Sequence, residues 1–141
     1  MPTDPAQPAQ PAVPYCHTLR VYWEDTDAGG VVFYANYLKF FERARTEWLR
    51  ALGLGQQGLR EREGVMFVVT DTRVGYRAPA RLDDLIEVSV RLSARTATTL
   101  TLVQEARRGG TLLAEGEIRI ACVDHGTFMP CRIPNEVTDL L

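Results

Sequence analysis

The chain has 141 residues, which is enough for one domain with a single hydrophobic core. Hydrophobic residues make up 45%, charged residues 24%, and the formal net charge is −2. The basic residues are scattered, so the charge pattern gives no indication of a nucleic-acid partner. No apolar run approaches the roughly 20 residues of a transmembrane helix, so we expect no membrane-spanning segment.

The three cysteines, Cys16, Cys122 and Cys131, show no CxxC spacing. An odd number of cysteines without such spacing favours free thiols in a reducing compartment over disulfides. We therefore expect a cytoplasmic protein without a metal site and with inert thiols at Cys122 and Cys131.

Residues 1–14 carry a proline at positions 2, 5, 8, 11 and 14, but neither a basic residue nor an apolar block. This pattern is not that of a secretory signal peptide, and a proline at every third position favours an extended, mobile segment. We predict a disordered, proline-rich tail over 1–14 and one folded domain over 15–141.

The first predicted strand covers residues 16–24, where Leu19, Val21 and Trp23 alternate with polar or exposed positions. A loop, DTDAGG, follows at residues 25–30. Aspartate and threonine bond readily to nearby backbone groups, and glycine adopts positive φ at little cost, so this segment predicts a tight turn.

The longest helical pattern follows the loop. Apolar side chains recur with the i, i+3, i+4, i+7 spacing of an amphipathic helix, at Tyr37, Phe40, Phe41, Ala44, Trp48 and Leu52. Gly53 predicts the end of this helix. Residues 56–63 predict a short exposed turn or helix before the next strand.

Four further strands are predicted at 65–78, 84–94, 98–107 and 111–123, with Gly75 as a possible bulge. The Gly109–Gly110 pair indicates a hairpin between the last two. Ala114 and Gly116 leave room on the inner face of the last strand for a close neighbour such as the helix. One strand, one long helix and four strands predict an α+β fold, a five-stranded antiparallel sheet around a central helix.

Three carboxylates, Glu24, Asp25 and Asp27, lie directly before the start of the helix. A helix start offers unpaired backbone N–H groups and the positive end of a dipole, so a carboxylate opposite it can act beside an oxyanion site. Capping of a helix or turn is the alternative, and the local pattern alone favours capping for Asp27. Asp25 is expected to hold the turn, and Glu24 is expected to face solvent.

The segment RVYWEDTDAGGVVFYANYLKFFERARTEWLR contains the pattern D-x-D-x-x-G-V-V-x-x-x-N-Y. This pattern resembles the hotdog-fold acyl-CoA thioesterases, and most closely the Tol–Pal-associated (YbgC-type) branch of the 4-hydroxybenzoyl-CoA thioesterase family. The resemblance continues through YRAPARLDDLIEV and AEGEIRIACVD and covers roughly residues 18–135. It implies a five-stranded sheet around a central helix, subunits paired edge to edge, and active sites at the subunit interface. Homodimers and homotetramers are both implied.

The resemblance assigns the catalytic carboxylate to Asp27 and places the backbone N–H that holds the thioester carbonyl near Tyr34. The Tol–Pal branch usually has histidine where this chain has Tyr34. A tyrosine at this position resembles the 4-hydroxybenzoyl-CoA branch instead. The backbone N–H at this position can hold the thioester carbonyl whichever of the two side chains is present. The expected substrate-binding residues are Gly30, Val31, Phe33, Arg77, Pro79, Arg81 and Arg95, with the arginines near the phosphates of coenzyme A. Trp23 and Tyr37 are further candidates for the border of the acyl pocket.

We therefore predict an acyl-CoA thioesterase that needs no cofactor and in which Asp27 activates water or attacks the carbonyl directly. The alternative is a hotdog module that binds acyl-CoA or acyl carrier protein without turnover. The residues leave the acyl group open among short, long and aromatic chains.

Overall fold

The computed structural model describes residues 7–8 and 14–141. The elements in chain order are β1 (Gln7–Pro8), β2 (Tyr15–Arg20), a 3-10 helix (Trp23–Asp25), α1 (Asn36–Ala51), α2 (Gln56–Glu63), β3 (Val65–Tyr76), β4 (Leu85–Arg95), β5 (Thr99–Arg108), β6 (Thr111–Asp124) and α3 (Asn135–Thr138). Within the described ranges, no helix is both long enough and apolar enough to cross a membrane.

All strand pairs are antiparallel, and the sheet has the order β1–β4–β5–β6–β3, with β2 also paired to β4. The five predicted strands are confirmed as β2 to β6. The short β1 is an addition, because Gln7 and Pro8 pair with Arg95 and Ala94. These two residues fall inside the segment predicted to be a disordered tail, and the rest of residues 1–13 lies outside the described part of the chain.

The predicted amphipathic helix is confirmed as α1, which lies against β2, β4 and β5. Its inward face is buried through Tyr37, Phe40, Phe41, Ala44, Trp48 and Leu49. A Cβ atom at Gly116 of β6 would lie 3.0 Å from the Phe41 ring, so the absence of a side chain lets α1 approach the sheet. This confirms the prediction that β6 makes room for the helix at Gly116.

Two local predictions were wrong. The first strand ends at Arg20, and Trp23–Asp25 form a 3-10 helix. In β3, Gly75 stays in register with Glu115, whereas the irregularity in pairing lies between Val69 and Asp71. By contrast, the hairpin at Gly109–Gly110 and the short helix at 56–63 are confirmed.

The face of β3 and β6 that points away from α1 carries cross-strand ion pairs, and we call it the outer charged face. The pairs are Asp71–Arg119 (3.9 Å), Arg73–Glu117 (3.3 Å) and Arg77–Glu115 (2.5 Å). Asp71 lies directly opposite Arg119, and Arg73 directly opposite Glu117, so opposite charges face each other across the two strands. These side chains are largely exposed, and each pair therefore contributes only about 0–1 kcal/mol to stability.

Candidate active site

The first carboxylate of the loop, Asp25, is buried, with 3% of its surface exposed. One of its carboxylate oxygens accepts the Tyr22 N–H at 2.8 Å, and the other accepts the Asn36 side-chain amide at 2.8 Å. Its backbone carbonyl accepts the Phe33 N–H at 3.0 Å. Asp25 therefore ties the 3-10 helix to the first residue of α1, as the sequence predicts.

The segment after Asp25 forms a small hairpin that presents Asp27. Thr26 bridges to Val32, and the Asp27 N–H donates to the Val31 carbonyl at 2.9 Å. The Gly30 N–H donates to the Asp27 carbonyl at 3.0 Å, and Gly30 has φ +82°. A three-residue loop that ends in a left-handed residue is a common hairpin geometry, and it requires the glycine at this position.

The Asp27 side chain is exposed and fixed by the hairpin. Its Oδ1 atom accepts the Gly29 N–H at 2.8 Å and the Val31 N–H at 3.4 Å. In the part of the chain that the structure describes, no hydrogen-bond donor lies within reach of Oδ2. One oxygen thus holds the carboxylate in place while the other faces outward.

The second strand of this hairpin leads directly into α1. The Val32 N–H donates to the Ala80 carbonyl at 2.8 Å, and the Asn36 N–H donates to the Phe33 carbonyl at 2.8 Å. Within the described part of the chain, the backbone N–H groups of Tyr34 and Ala35 have no hydrogen-bond acceptor. Unpaired donors at the positive end of a helix dipole form a site for a developing negative charge.

An aromatic cluster borders the helix start. The ring centroid of Tyr34 lies 4.8 Å from that of Phe33 and 6.2 Å from that of Tyr76, and Tyr76 lies 5.6 Å from Tyr37. Phe33, Tyr34 and Tyr76 are 46%, 64% and 44% exposed, which makes an apolar surface at the site. Burial raises the pKa of the Tyr37 hydroxyl, so this group stays neutral.

Trp23 is 81% exposed and stands apart from this cluster. Sequence reasoning missed Tyr76, which reaches the site from the far end of β3. The sequence around Tyr76 does not indicate that this residue lies at the site, because only the pairing of β3 with β6 brings it near α1.

The turn at residues 79–84 packs beside the Asp27 hairpin through a bridge between Val31 and Arg81. It brings Gly30, Val31, Pro79 and Arg81 together, as expected of substrate-binding residues that act at one place. Arg108 holds the turn, since its guanidinium donates to the Pro79 carbonyl at 3.1 Å and to Asp84 Oδ2 at 2.7 Å. Sequence reasoning did not identify Arg108.

Asp84 belongs to this turn and stabilises it by accepting hydrogen bonds. Its Oδ2 atom also accepts the Arg81 N–H at 2.9 Å. Burial raises the pKa of the Asp84 carboxyl, but the hydrogen bonds from Arg81 and Arg108 outweigh burial and hold the pKa below its ordinary value. Asp84 is therefore ionised at neutral pH and holds the turn as a charged acceptor.

The three candidate arginines occupy different surroundings. Arg81 is exposed beside the hairpin, and Arg77 is paired with Glu115 at 2.5 Å on the outer charged face. Arg95 ends β4 and donates to the Thr138 carbonyl at 3.1 Å. Ten residues of strand separate Arg95 from the site end of β4, roughly 30 Å at the usual rise, so one chain does not bring Arg95 to Asp27.

One antiparallel sheet around one long helix, with a carboxylate loop at the helix start, is the architecture of the hotdog fold. A solved structure with this architecture, a probable thioesterase from Bartonella henselae, superposes with a TM-score of 0.83 at 33% identity, over 86% of this chain and all of that one. The family model of the thioesterase-like superfamily matches residues 21–141.

Curated relatives agree with this match. An acyl-CoA thioesterase YbgC of Haemophilus influenzae is 45% identical over 119 residues, which cover 84% of this chain and 88% of the relative. An acyl-CoA thioester hydrolase YbgC of Escherichia coli O6:H1 is 45% identical over 120 residues, which cover 84% of this chain and 89% of the relative. The chain belongs to the thioesterase-like superfamily. These matches confirm the predicted hotdog fold. They also confirm the predicted class of enzyme, a thioester hydrolase, at the level of the family.

Proposed function

We propose that the chain hydrolyses acyl-CoA thioesters at a site formed by Asp27 and the backbone N–H groups of Tyr34 and Ala35. The observation that carries this proposal is the Asp27 carboxylate, with one oxygen held by the hairpin and the other free, on the strand that leads to unpaired donors. The curated relatives in Haemophilus influenzae and Escherichia coli carry the same activity in their names.

The spacing of the two groups supports this reading. Asp27 lies opposite Val31, and Tyr34 lies three residues beyond Val31 in the turn into α1, so Val31 and Tyr34 are at most roughly 10 Å apart. An aspartate side chain, a carbonyl in attack position and one hydrogen bond to its oxygen span a comparable distance. The site therefore has room for one thioester carbonyl between the carboxylate and the helix start.

In this reaction the thioester oxygen accepts the Tyr34 N–H, and the negative charge that develops there lies at the positive end of α1. Asp27 either takes a proton from the attacking water or attacks the carbonyl carbon to give a mixed anhydride that water then cleaves. In both routes the carbon–sulfur bond breaks and coenzyme A leaves as a thiolate, which water protonates. One oxyanion donor contributes about 3 kcal/mol to lowering the barrier.

The substrate lies along the surfaces already described. Gly30, Val31 and Pro79 border the pantetheine chain, and Arg81 faces the phosphates. Arg77 reaches the phosphates only if its side chain leaves Glu115 on the outer charged face. The aromatic cluster of Phe33, Tyr34 and Tyr76 borders the acyl group. Arg95 contacts the substrate only if it comes from another subunit.

We further propose that the protein acts as a homo-oligomer, a dimer or a dimer of dimers, in the cytoplasm, where CoA thioesters are used. Among the strands that the structure describes, β3 pairs only with β6, so it is an edge strand of twelve residues. Val69 in its centre is 49% exposed. Pairing with the same strand of a second copy satisfies its free backbone groups and covers this apolar surface.

A partly buried arginine supports the same pairing. Arg45 of α1 donates to Gln104, which is fully buried, at 3.0 Å, and burial lowers the pKa of the Arg45 guanidinium. No carboxylate of the described residues forms an ion pair with it. Arg45 borders a groove of about 230 Å³ between α1 and β3, together with Glu42. We expect a two-fold copy of this face to bring Glu42 of one subunit towards Arg45 of the other, since an opposite charge offsets the desolvation of the guanidinium.

The test is release of free thiol from a panel of short, long and aromatic acyl-CoAs by the purified protein, with Asp27→Asn and Glu24→Gln as matched variants. We expect Asp27→Asn to abolish turnover while acyl-CoA still binds. Glu24 is exposed and makes no hydrogen bond through its side chain among the described residues, so Glu24→Gln should retain full activity. Substantial turnover by Asp27→Asn contradicts the assignment of the carboxylate. Binding without thiol release by the wild-type protein favours the non-catalytic module, for acyl-CoA or acyl carrier protein.

A further inference from the structure

The end of β6 and the segment that follows it bring two cysteines face to face. Val123 bridges to Pro130, the Cys131 N–H donates to the Cys122 carbonyl at 3.0 Å, and the Asp124 N–H donates to the Met129 carbonyl at 2.9 Å. These contacts place Cys122 and Cys131 directly opposite each other in an antiparallel pair. Their sulfur atoms lie 3.6 Å apart.

The backbone geometry of this pair suits a disulfide bond. The two cysteines share one backbone hydrogen bond, because the Cys122 N–H donates to the Thr98 carbonyl at 2.8 Å rather than to Cys131. Opposite residues of an antiparallel pair have Cα atoms about 4.5–5.5 Å apart. Disulfide-linked cysteines most often have Cα atoms about 5.5–6 Å apart, and a sulfur–sulfur bond of about 2.05 Å. Side-chain rotation alone can therefore close the remaining gap between the two sulfurs, without moving the strands.

The two thiols differ in access to solvent. Cys122 is fully buried, whereas Cys131 is partly exposed and Cys16 is exposed on β2. Within the described residues, no group of three side chains of the metal-binding types forms around them. Burial and the neighbouring Cys131 thiol raise the pKa of Cys122 to about 12, so Cys122 is not the thiol that attacks an oxidant first. The accessible Cys131 is the candidate for the attacking cysteine, and Cys122 for the resolving one.

We propose that Cys122 and Cys131 form a reversible disulfide by exchange with a low-molecular-weight disulfide such as glutathione disulfide. The Cys131 thiolate attacks one sulfur of the oxidant, the oxidant's sulfur–sulfur bond breaks, and one glutathione leaves. The Cys122 thiolate then attacks the Cys131 sulfur of this mixed disulfide, and the second glutathione leaves. Two electrons pass to the oxidant, and the two protons of the protein thiols end on the two released glutathiones.

The bond would fasten the C-terminal segment to the sheet. Residues after Cys131 bury Ile133 and Val137 in the core, and the Ile133 N–H donates to the Ala97 carbonyl at 2.8 Å. The bond closes a loop that contains Phe128, an exposed aromatic residue with φ +60°. A cross-link over this loop restricts the unfolded chain and so stabilises the folded protein.

The experiment uses the full chain in a Cys16→Ser background, which leaves only the two thiols of interest. Incubation with glutathione disulfide should remove both reactive thiols, lower the mass by about 2 Da and raise Tm by about 5–10 °C, with reversal by dithiothreitol. The matched control carries Cys16→Ser and Cys131→Ser, and it should show none of these changes.

The other outcomes overturn the proposal. A gain of about 305 Da, the mass of one glutathione adduct on Cys131, without loss of the second thiol shows that the pair does not close. Disulfide-linked dimers of the Cys16→Ser protein on a non-reducing gel show that the bond forms between chains. An unchanged Tm after an internal bond has formed shows that the bond does not fasten the C-terminal segment.

Discussion

Replacement of Asp25 by alanine separates the structural carboxylate of the loop from the proposed catalytic one. Asp25 is 3% exposed and accepts hydrogen bonds at 2.8 Å from Tyr22 and from Asn36. A hydrogen bond to a charged group contributes about 1.5–3 kcal/mol, so the loss of two should lower the free energy of unfolding by about 3–6 kcal/mol. The change also releases the start of α1 from the 3-10 helix.

The assay is urea unfolding, read as the free energy extrapolated to water, with the slope m compared among variants. Glu24→Ala is the control, because Glu24 lies one residue away, is exposed and should change stability by less than about 0.5 kcal/mol. Asp27→Asn should also unfold almost as the wild type does, because Asp27 is exposed. A loss below about 1 kcal/mol for Asp25→Ala refutes the claim that this carboxylate holds the loop.

The sheet and the turn beside the site give two further predictions. Gly116→Ala should destabilise the protein by about 1–3 kcal/mol in thermal unfolding, since the new methyl group meets the Phe41 ring at 3.0 Å. Gly110→Ala is its control, because open space surrounds that position. Asp84 has a lowered pKa in the folded state, so its contribution to stability is fully present above the ordinary pKa of about 3.9 and is lost as pH falls through the folded value. The stability difference between wild type and Asp84→Asn should therefore shrink below about pH 4, and a difference independent of pH contradicts the role of the ionised carboxylate.

Periodicity predicted most of the fold because the core uses regular patterns. The helical spacing from Tyr37 to Trp48 and the alternation along β4 to β6 reflect one buried face in each element. The end of β2 was missed because residues 21–24 continue the alternation, while the Asp25 side chain accepts the Tyr22 N–H and turns the chain into a 3-10 helix. A local side-chain bond of this kind competes with strand pairing and leaves no periodic signal.

Some residues of the candidate site are close together in the sequence, and others meet only in the folded structure. Asp25, Asp27 and the helix start lie within twelve residues, so the sequence alone predicts that they lie close together. The catalytic role of Asp27 comes from the family resemblance and stays a prediction. Tyr76 and Arg108 reach the site only through the pairing of β3, β5 and β6, which no local pattern encodes.

The closeness of Cys122 and Cys131 was not predicted from the sequence for the same reason, because nine residues separate them. The expectation that the two thiols are inert stays a prediction, which the proposed disulfide would overturn. The segment after β6 reverses direction and lies beside the strand, which brings the two sulfurs together.

The outer charged face limits how copies of the chain can stack. Exposed cross-strand ion pairs cover much of this face on β3 and β6, so contact of a second sheet through it relies largely on matched charges. Such contacts weaken as ions screen them, with a Debye length of only about 3 Å at 1 M salt. Contact along the free edge of β3 rests on backbone hydrogen bonds and apolar burial, which added salt leaves intact. Ionic strength can thus distinguish an assembly built through the sheet face from one built along its edge.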